Sequence, residues 1–236
     1  MNEFSKLTAE LATVALVMSG AGIAVGAGTA AADTAPAACE QSGHDTKNDW
    51  STVWITHTYD KYVSASTAAA GTQITYKIVV GTTSIGNPYV NSITDYAPPG
   101  FGRPIKSSVT AYHFGRGQQT EDVTAEPNGG GWSVNSTGWF VNSGNPVTAN
   151  FTYLVPNTVS AGQRVVSGGI GVGGTVGVGT DRPNLTACFT ARAANPGEAV
   201  LGSLGDSGLG SADNQLSSTG SVTDILTGVL KNLIGS

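Results

Sequence analysis

Over residues 73–80, Ile74, Tyr76, Ile78 and Val80 interleave with Gln73, Thr75, Lys77 and Val79. A period of two turns one face of a β-strand to a core and the other largely to water. Val147, Ala149, Phe151, Tyr153 and Val155 repeat the pattern against Thr148, Asn150, Thr152 and Leu154. Residues 51–59 are rich in Thr, Val, Trp and Ile and read as a strand by composition. Shorter strands are predicted at residues 90–95, 107–114, 132–135, 138–142, 164–172 and 185–192. Turn punctuation such as Pro98-Pro99-Gly100, Pro127-Asn128-Gly129-Gly130-Gly131 and Asp181-Arg182-Pro183-Asn184 separates them. About eight or nine short strands with no helical pattern between them predict an all-β fold, an antiparallel immunoglobulin-like β-sandwich.

The two ends of the chain follow other rules. Lys6 precedes an apolar, small-residue run over residues 11–27, and Gly28-Thr29-Ala30-Ala31-Ala32-Asp33 follows. That order predicts a secretory signal peptide over residues 1–32, cleaved after Ala32. Gly20, Gly22, Gly26 and Gly28 dilute a run already short for a membrane span. A lipoprotein site would place a large aliphatic residue three before Cys39, where Pro36 stands. After an N-terminal lead at residues 33–38, the strand-patterned domain occupies 39–192. Residues 193–220, rich in Gly and Ser, read as a flexible linker.

The last segment, residues 221–236, is predicted as a short amphipathic helix. Val222, Ile225, Leu226, Val229, Leu230, Leu233 and Ile234 follow i, i+3, i+4 spacing, and Ser221 is placed to cap it. Gly228 costs about 1 kcal/mol of helix propensity, so the helix needs a surface to lie on. Lys231 alone offers little attraction to anionic lipid, which favours an envelope component or protein partner and makes membrane contact at most peripheral. Leu216-Ser217-Ser218-Thr219-Gly220 lacks the proline of a sortase signal, and no basic tail follows.

Composition narrows the function classes. A net charge of −5 excludes a nucleic-acid binder that relies on a basic patch. The two cysteines, Cys39 and Cys188, stand at either end of the strand-patterned region. In an exported chain they are expected to form a disulfide closing a loop of about 150 residues. A metal site would need further ligands, and His44, His57 and His113 show no ligand spacing.

The run Ala70-Gly71-Thr72-Gln73-Ile74-Thr75-Tyr76-Lys77-Ile78-Val79-Val80, followed by Val90-Asn91-Ser92-Ile93-Thr94-Asp95-Tyr96-Ala97-Pro98, resembles the "conserved repeat" domain of bacterial cell-surface proteins, a β-sandwich family of unknown function. That family places a Gly-x-x-aliphatic-x-Tyr strand before a second strand ending in Asp and a proline. The resemblance extends over residues 62–192. It implies an extracellular structural or adhesive module and supplies no catalytic residues. Family members carry tandem copies with Asn-x-Gly after the first strand. This chain holds one copy and has Gly81-Thr82-Thr83-Ser84-Ile85-Gly86-Asn87 in place of that turn, a departure from a tandem stalk.

Sites for chemistry are sparse. Gly169 to Gly174 spells a literal G-x-G-x-x-G, but no helix follows to face a phosphate. Ile170, Val172, Val176 and Val178 alternate there with glycines, leaving a bare face that either accepts close approach by another sheet or loop or lies in a flexible hairpin arm. The carboxylates lie scattered over turns, and Asp95 is expected to hydrogen-bond backbone amides of a proline-rich turn. No Gly-x-Ser-x-Gly occurs in the core. No enzyme and no cofactor are expected. Aromatics offer the ligand hint: Trp50, Trp54, Trp132 and Trp139, some of them expected on the surface, where a ring can stack on a sugar or anchor a protein. The sequence therefore predicts a secreted or cell-surface, non-catalytic β-sandwich with a structural or adhesive role at the bacterial envelope. The alternative is a carbohydrate- or ligand-binding module that uses exposed aromatics.

Overall fold

A computed structural model describes residues 38–49, 54–86 and 88–198. The segment read as a signal peptide, Trp50 and the helix expected at residues 221–236 lie outside the described residues. The described part is all-β and mostly antiparallel. The larger sheet runs β1 (Ser42–Asp49), β2 (Ile55–Val63), β4 (Gln73–Thr82), β10 (Val147–Leu154), β6 (Lys106–His113), β9 (Gly131–Phe140), β5 (Tyr89–Asp95), β12 (Ile170–Gly174) and β13 (Thr180–Arg182). β7 (Gly117–Asp122) flanks β6, and β8 (Glu126–Asn128) flanks β9. A small second sheet joins β11 (Arg164–Val166), β14 (Cys188–Arg192) and β3 (Thr67–Ala69), with β14 parallel to β3.

The alternation in β4 and β10 does what its period demands. Ile74, Tyr76, Ile78 and Val80 are buried against Ala149, Phe151 and Tyr153, and the two strands pair along eight residues. The ladder is far weaker between β6 and β9, where Tyr112 and Phe140 form the one paired position. The large sheet therefore divides into two halves, one from β1 to β6 and one from β9 to β13, and curls so that the inner faces meet. Tyr59, Tyr76 and Tyr153 from the first half share one apolar core with Ile93, Val134 and Ile170 from the second.

The expected count of eight or nine strands is corrected to fourteen segments among the described residues, ten of them five residues or longer. The added segments are β1, β3, β7, β8 and β13, while one split and one merger offset each other. The predicted strand at 164–172 breaks at Ser167-Gly168-Gly169, so β11 and β12 belong to different sheets. Conversely, 132–135 and 138–142 form one strand, β9, whose register against β5 shifts between Val90 and Ser92. β1 and β7 have no hydrophobic alternation to betray them. Their sequences, SGHDTKND and GQQTED, suit strands whose side chains remain largely in water.

Cys39 and Cys188 form a disulfide with a Cα–Cα distance of 5.1 Å, closing a sequence separation of 149 residues. The Cys188 amide donates to the Glu40 carbonyl at 2.7 Å, so the covalent tie continues as backbone pairing. Reduction with dithiothreitol is expected to lower stability by up to about 5 kcal/mol, the limit set by loop entropy. Urea denaturation with and without reductant checks this as a shift of the midpoint.

Candidate functional site

The expected tryptophan contacts separate in the structure. Trp139 is 4% exposed, its indole N–H donating to Glu121 Oε1 at 2.8 Å. It leaves the set of ligand contacts because its position in β9 points inward, in step with the buried Val141. Trp132 is half-buried and packs on the edge of the core. Trp54 is 83% exposed and sits at φ 64°, a left-handed conformation uncommon outside glycine. The terminal-helix contacts, Val222, Ile225, Leu226, Val229, Leu230, Leu233 and Ile234, lie outside the described residues.

A different aromatic group does assemble on the surface. Tyr89 pairs with Phe140 across β5 and β9, and Phe140 pairs with Tyr112 across β9 and β6. The Tyr89 and Phe140 rings meet edge to face at 5.9 Å, and Tyr112 lies tilted against Phe140 at 5.7 Å. All three project from the outer face, since their chain neighbours Val90, Ala111, Trp139 and Val141 are buried. Gly138 keeps the row open, because a Cβ there would stand 2.8 Å from the Tyr89 ring. Phe114, two residues past Tyr112, is 96% exposed. The row carries apolar ring surface to solvent at the place where the ladder between the halves is thinnest. Its sequence signal was parity: each ring occupies the position opposite to a core residue.

Inside the curl lies a polar centre that alternation alone did not reveal. His57, Tyr59, Lys61 and Val63 share the inward phase of β2, so a lysine occupies a core position. Lys61 Nζ lies 2.6 Å from Asp95 Oδ1, and both side chains are fully buried. Nζ also donates to the carbonyls of Gly168, Gly169 and Tyr96 at 2.9, 3.1 and 3.3 Å. The Tyr153 hydroxyl donates to Asp95 Oδ2 at 2.7 Å, and the Tyr76 ring flanks Nζ at 5.1 Å. Asp95 thus binds a cation and a phenol; the expectation that it serves backbone amides of the next turn is corrected. Its place at the end of β5, facing β2 across the core, puts the carboxyl inside.

Electrostatics at the centre follow from dryness. Burial pulls the Lys61 ammonium below the ordinary lysine range, against Asp95, which holds it up. Burial, reinforced by the Asp95 charge, raises the Tyr76 and Tyr153 phenols far above the usual range, so both remain protonated.

Further polar side chains bring the two ends of the sheet together without a strand ladder. Lys47 donates to the carbonyls of Gly177 and Gly179 at 2.8 and 2.7 Å, and Tyr59 to that of Val178 at 2.6 Å. Arg182 reaches back to Asp45 at 3.3 Å and to the Thr46 carbonyl at 3.2 Å. His57 Nε2 donates to the Val176 carbonyl at 3.1 Å, and burial lowers its pKa from the usual histidine value. Burial raises the Tyr59 phenol to about 12.

The glycine-rich stretch supplies the carbonyls for these bonds. A Cβ on Gly169 would collide with the Arg182 carbonyl, and one on Gly177 with the Asp49 carboxyl. Its bare backbone is used for close approach within the domain. Among the described residues no group of three or more His, Cys, Asp or Glu side chains is placed to hold a metal ion, and no helix is long and apolar enough to cross a membrane.

No protein-family model matches the sequence, and no curated protein matches it. Solved structures with partial likeness include the RrgA Jo.In complex, at 11% identity and a TM-score of 0.35, over 56% of this chain and 76% of that one. The sporulation control protein Spo0M from Bacillus subtilis matches at 12% identity and 0.28, over 71% of this chain and 55% of that one. The fibre head of bovine atadenovirus type 4 matches at 14% and 0.26, over 48% of this chain and 96% of that one. Likenesses this slight assign neither family nor activity.

Replacing Lys61 by Met strands the Asp95 carboxylate in the core. The expected cost is about 3–5 kcal/mol of folding stability, read by chemical denaturation against the parent protein.

Proposed function

We propose that this chain is exported and acts at the bacterial envelope as a non-catalytic adhesive protein, its curled sheet serving as an immunoglobulin-like sandwich that presents an aromatic face. The observation that carries the reading is the Tyr112–Phe140–Tyr89 row, a half-buried run of rings ending in the exposed Tyr89, on strands whose opposite face is core. Aromatic anchors of this kind concentrate binding energy at protein interfaces. Export is supported by the disulfide, a bond that persists in oxidising compartments, and by the leader pattern of residues 1–32. The non-catalytic reading rests on burial: the Lys61–Asp95 centre offers no surface to a substrate. The amphipathic segment 221–236 is assigned the contact that localises the protein.

Two outcomes are expected. The double variant Tyr89→Ser with Phe140→Ser, whose fold is checked by its unfolding midpoint, binds isolated envelopes at least about tenfold more weakly than the parent. Unchanged binding removes the row from the site. If a glycan array shows specific binding lost in the same variant, the carbohydrate-binding alternative takes its place. Separately, a chain ending at Gly220 shifts from the envelope fraction to the medium on cell fractionation. Retention of the truncated chain excludes the helix as anchor.

A further inference from the structure

The Lys61–Asp95 pair joins β2 to β5, one strand from each half of the curled sheet. A buried ion pair is poor evidence of stabilisation by itself, because apolar residues of similar volume commonly serve as well or better. Three features of its geometry suit a reaction. Lys61 Nζ stands 2.6 Å from Asp95 Oδ1 with no solvent access to either. The Gly168, Gly169 and Tyr96 carbonyls, at 2.9, 3.1 and 3.3 Å, anchor the nitrogen beside the carboxyl. Tyr153 donates to Oδ2 at 2.7 Å, the oxygen on which negative charge grows when the carboxyl carbon is attacked. We propose that Lys61 and Asp95 condense into an intramolecular amide, a permanent crosslink between the two halves of the domain.

The step balances with no co-reactant. For reaction the ammonium proton passes to Oδ1, giving a neutral amine beside a carboxylic acid, a step that burial of the Lys61 ammonium assists. The nitrogen lone pair then attacks the Asp95 carboxyl carbon and forms the C–N bond, while Tyr153 stabilises Oδ2. A second nitrogen proton moves to the Oδ1 hydroxyl, the C–Oδ1 bond breaks, and one water molecule leaves. Oδ2 remains as the amide oxygen on Tyr153, and the single amide N–H stays on a glycine carbonyl. No group is oxidised or reduced. Folding supplies the proximity that two free side chains lack in water, where the same condensation is unfavourable and slow.

Intact-mass spectrometry of the full chain, purified and with its N-terminus sequenced, tests the crosslink independently of any envelope function. The expected mass lies one water below that calculated from the sequence after allowing for the disulfide. A protease digest is expected to contain one branched peptide joining the segments of Lys61 and Asp95. Lys61→Met and Asp95→Ala each restore the full calculated mass, whether or not they remain folded. A parent protein at its full calculated mass overturns the proposal. So does a water loss that tandem spectrometry maps to any other position.

Discussion

The curl of the large sheet rests on how its halves are held where the ladder cannot hold them. Between β6 and β9 the backbone contributes one paired position, so the inner faces must supply the rest. Apolar packing fills most of that space, but packing has no direction. The Lys61 ammonium does have one: it faces Asp95 and three backbone carbonyls, and those carbonyls belong to Tyr96 and to the glycines entering β12. These three hydrogen bonds and the ion pair fix β2 against the β5–β12 pair. Tyr153 extends the constraint to β10 through Asp95. With the centre in place, the remaining seam bonds come from Lys47 on β1, Tyr59 on β2 and Arg182 on β13.

How legible this was depended on which physical signal each part carried. β4 and β10 were plain because they lie within the sheet with one face in core, and Ile74 to Val80 and Val147 to Tyr153 advertise that by period. β1 and β7 were invisible since they cover edges with water-facing residues, where nothing selects hydrophobic alternation. The pairing of the two cysteines was legible from chemistry alone. Lys61 was hidden by its type: a lysine reads as surface, and only the phase shared with Tyr59 and Val63 assigns it inward. The aromatic row was lost among other rings because tryptophan count carries no direction, whereas position relative to Val90, Ala111 and Val141 does. Trp139 and Phe140 are adjacent and face opposite ways, one to core and one to solvent.

The glycines show how a featureless stretch becomes specific. At Gly168 and Gly169 the missing side chains let backbone oxygen reach a buried cation, and at Gly177 they admit the Asp49 carboxyl. Substitution to alanine at these positions would add few atoms, yet Gly169 alone would drive a methyl group into the neighbouring strand's backbone. The composition that resembled a nucleotide loop is a polar lining for the interior, read by lysine instead of by phosphate.

The disulfide also determines how tension would travel. Cys39 lies just before β1, and Arg192, four residues beyond Cys188, ends β14. A pull applied at Cys39 and Arg192 passes through the sulfur–sulfur bond and the rest of strand β14, and the residues between the cysteines stand off the load line. The curled sheet, its aromatic row and its buried centre would then keep their shape under load, because all of them lie between the bridged cysteines.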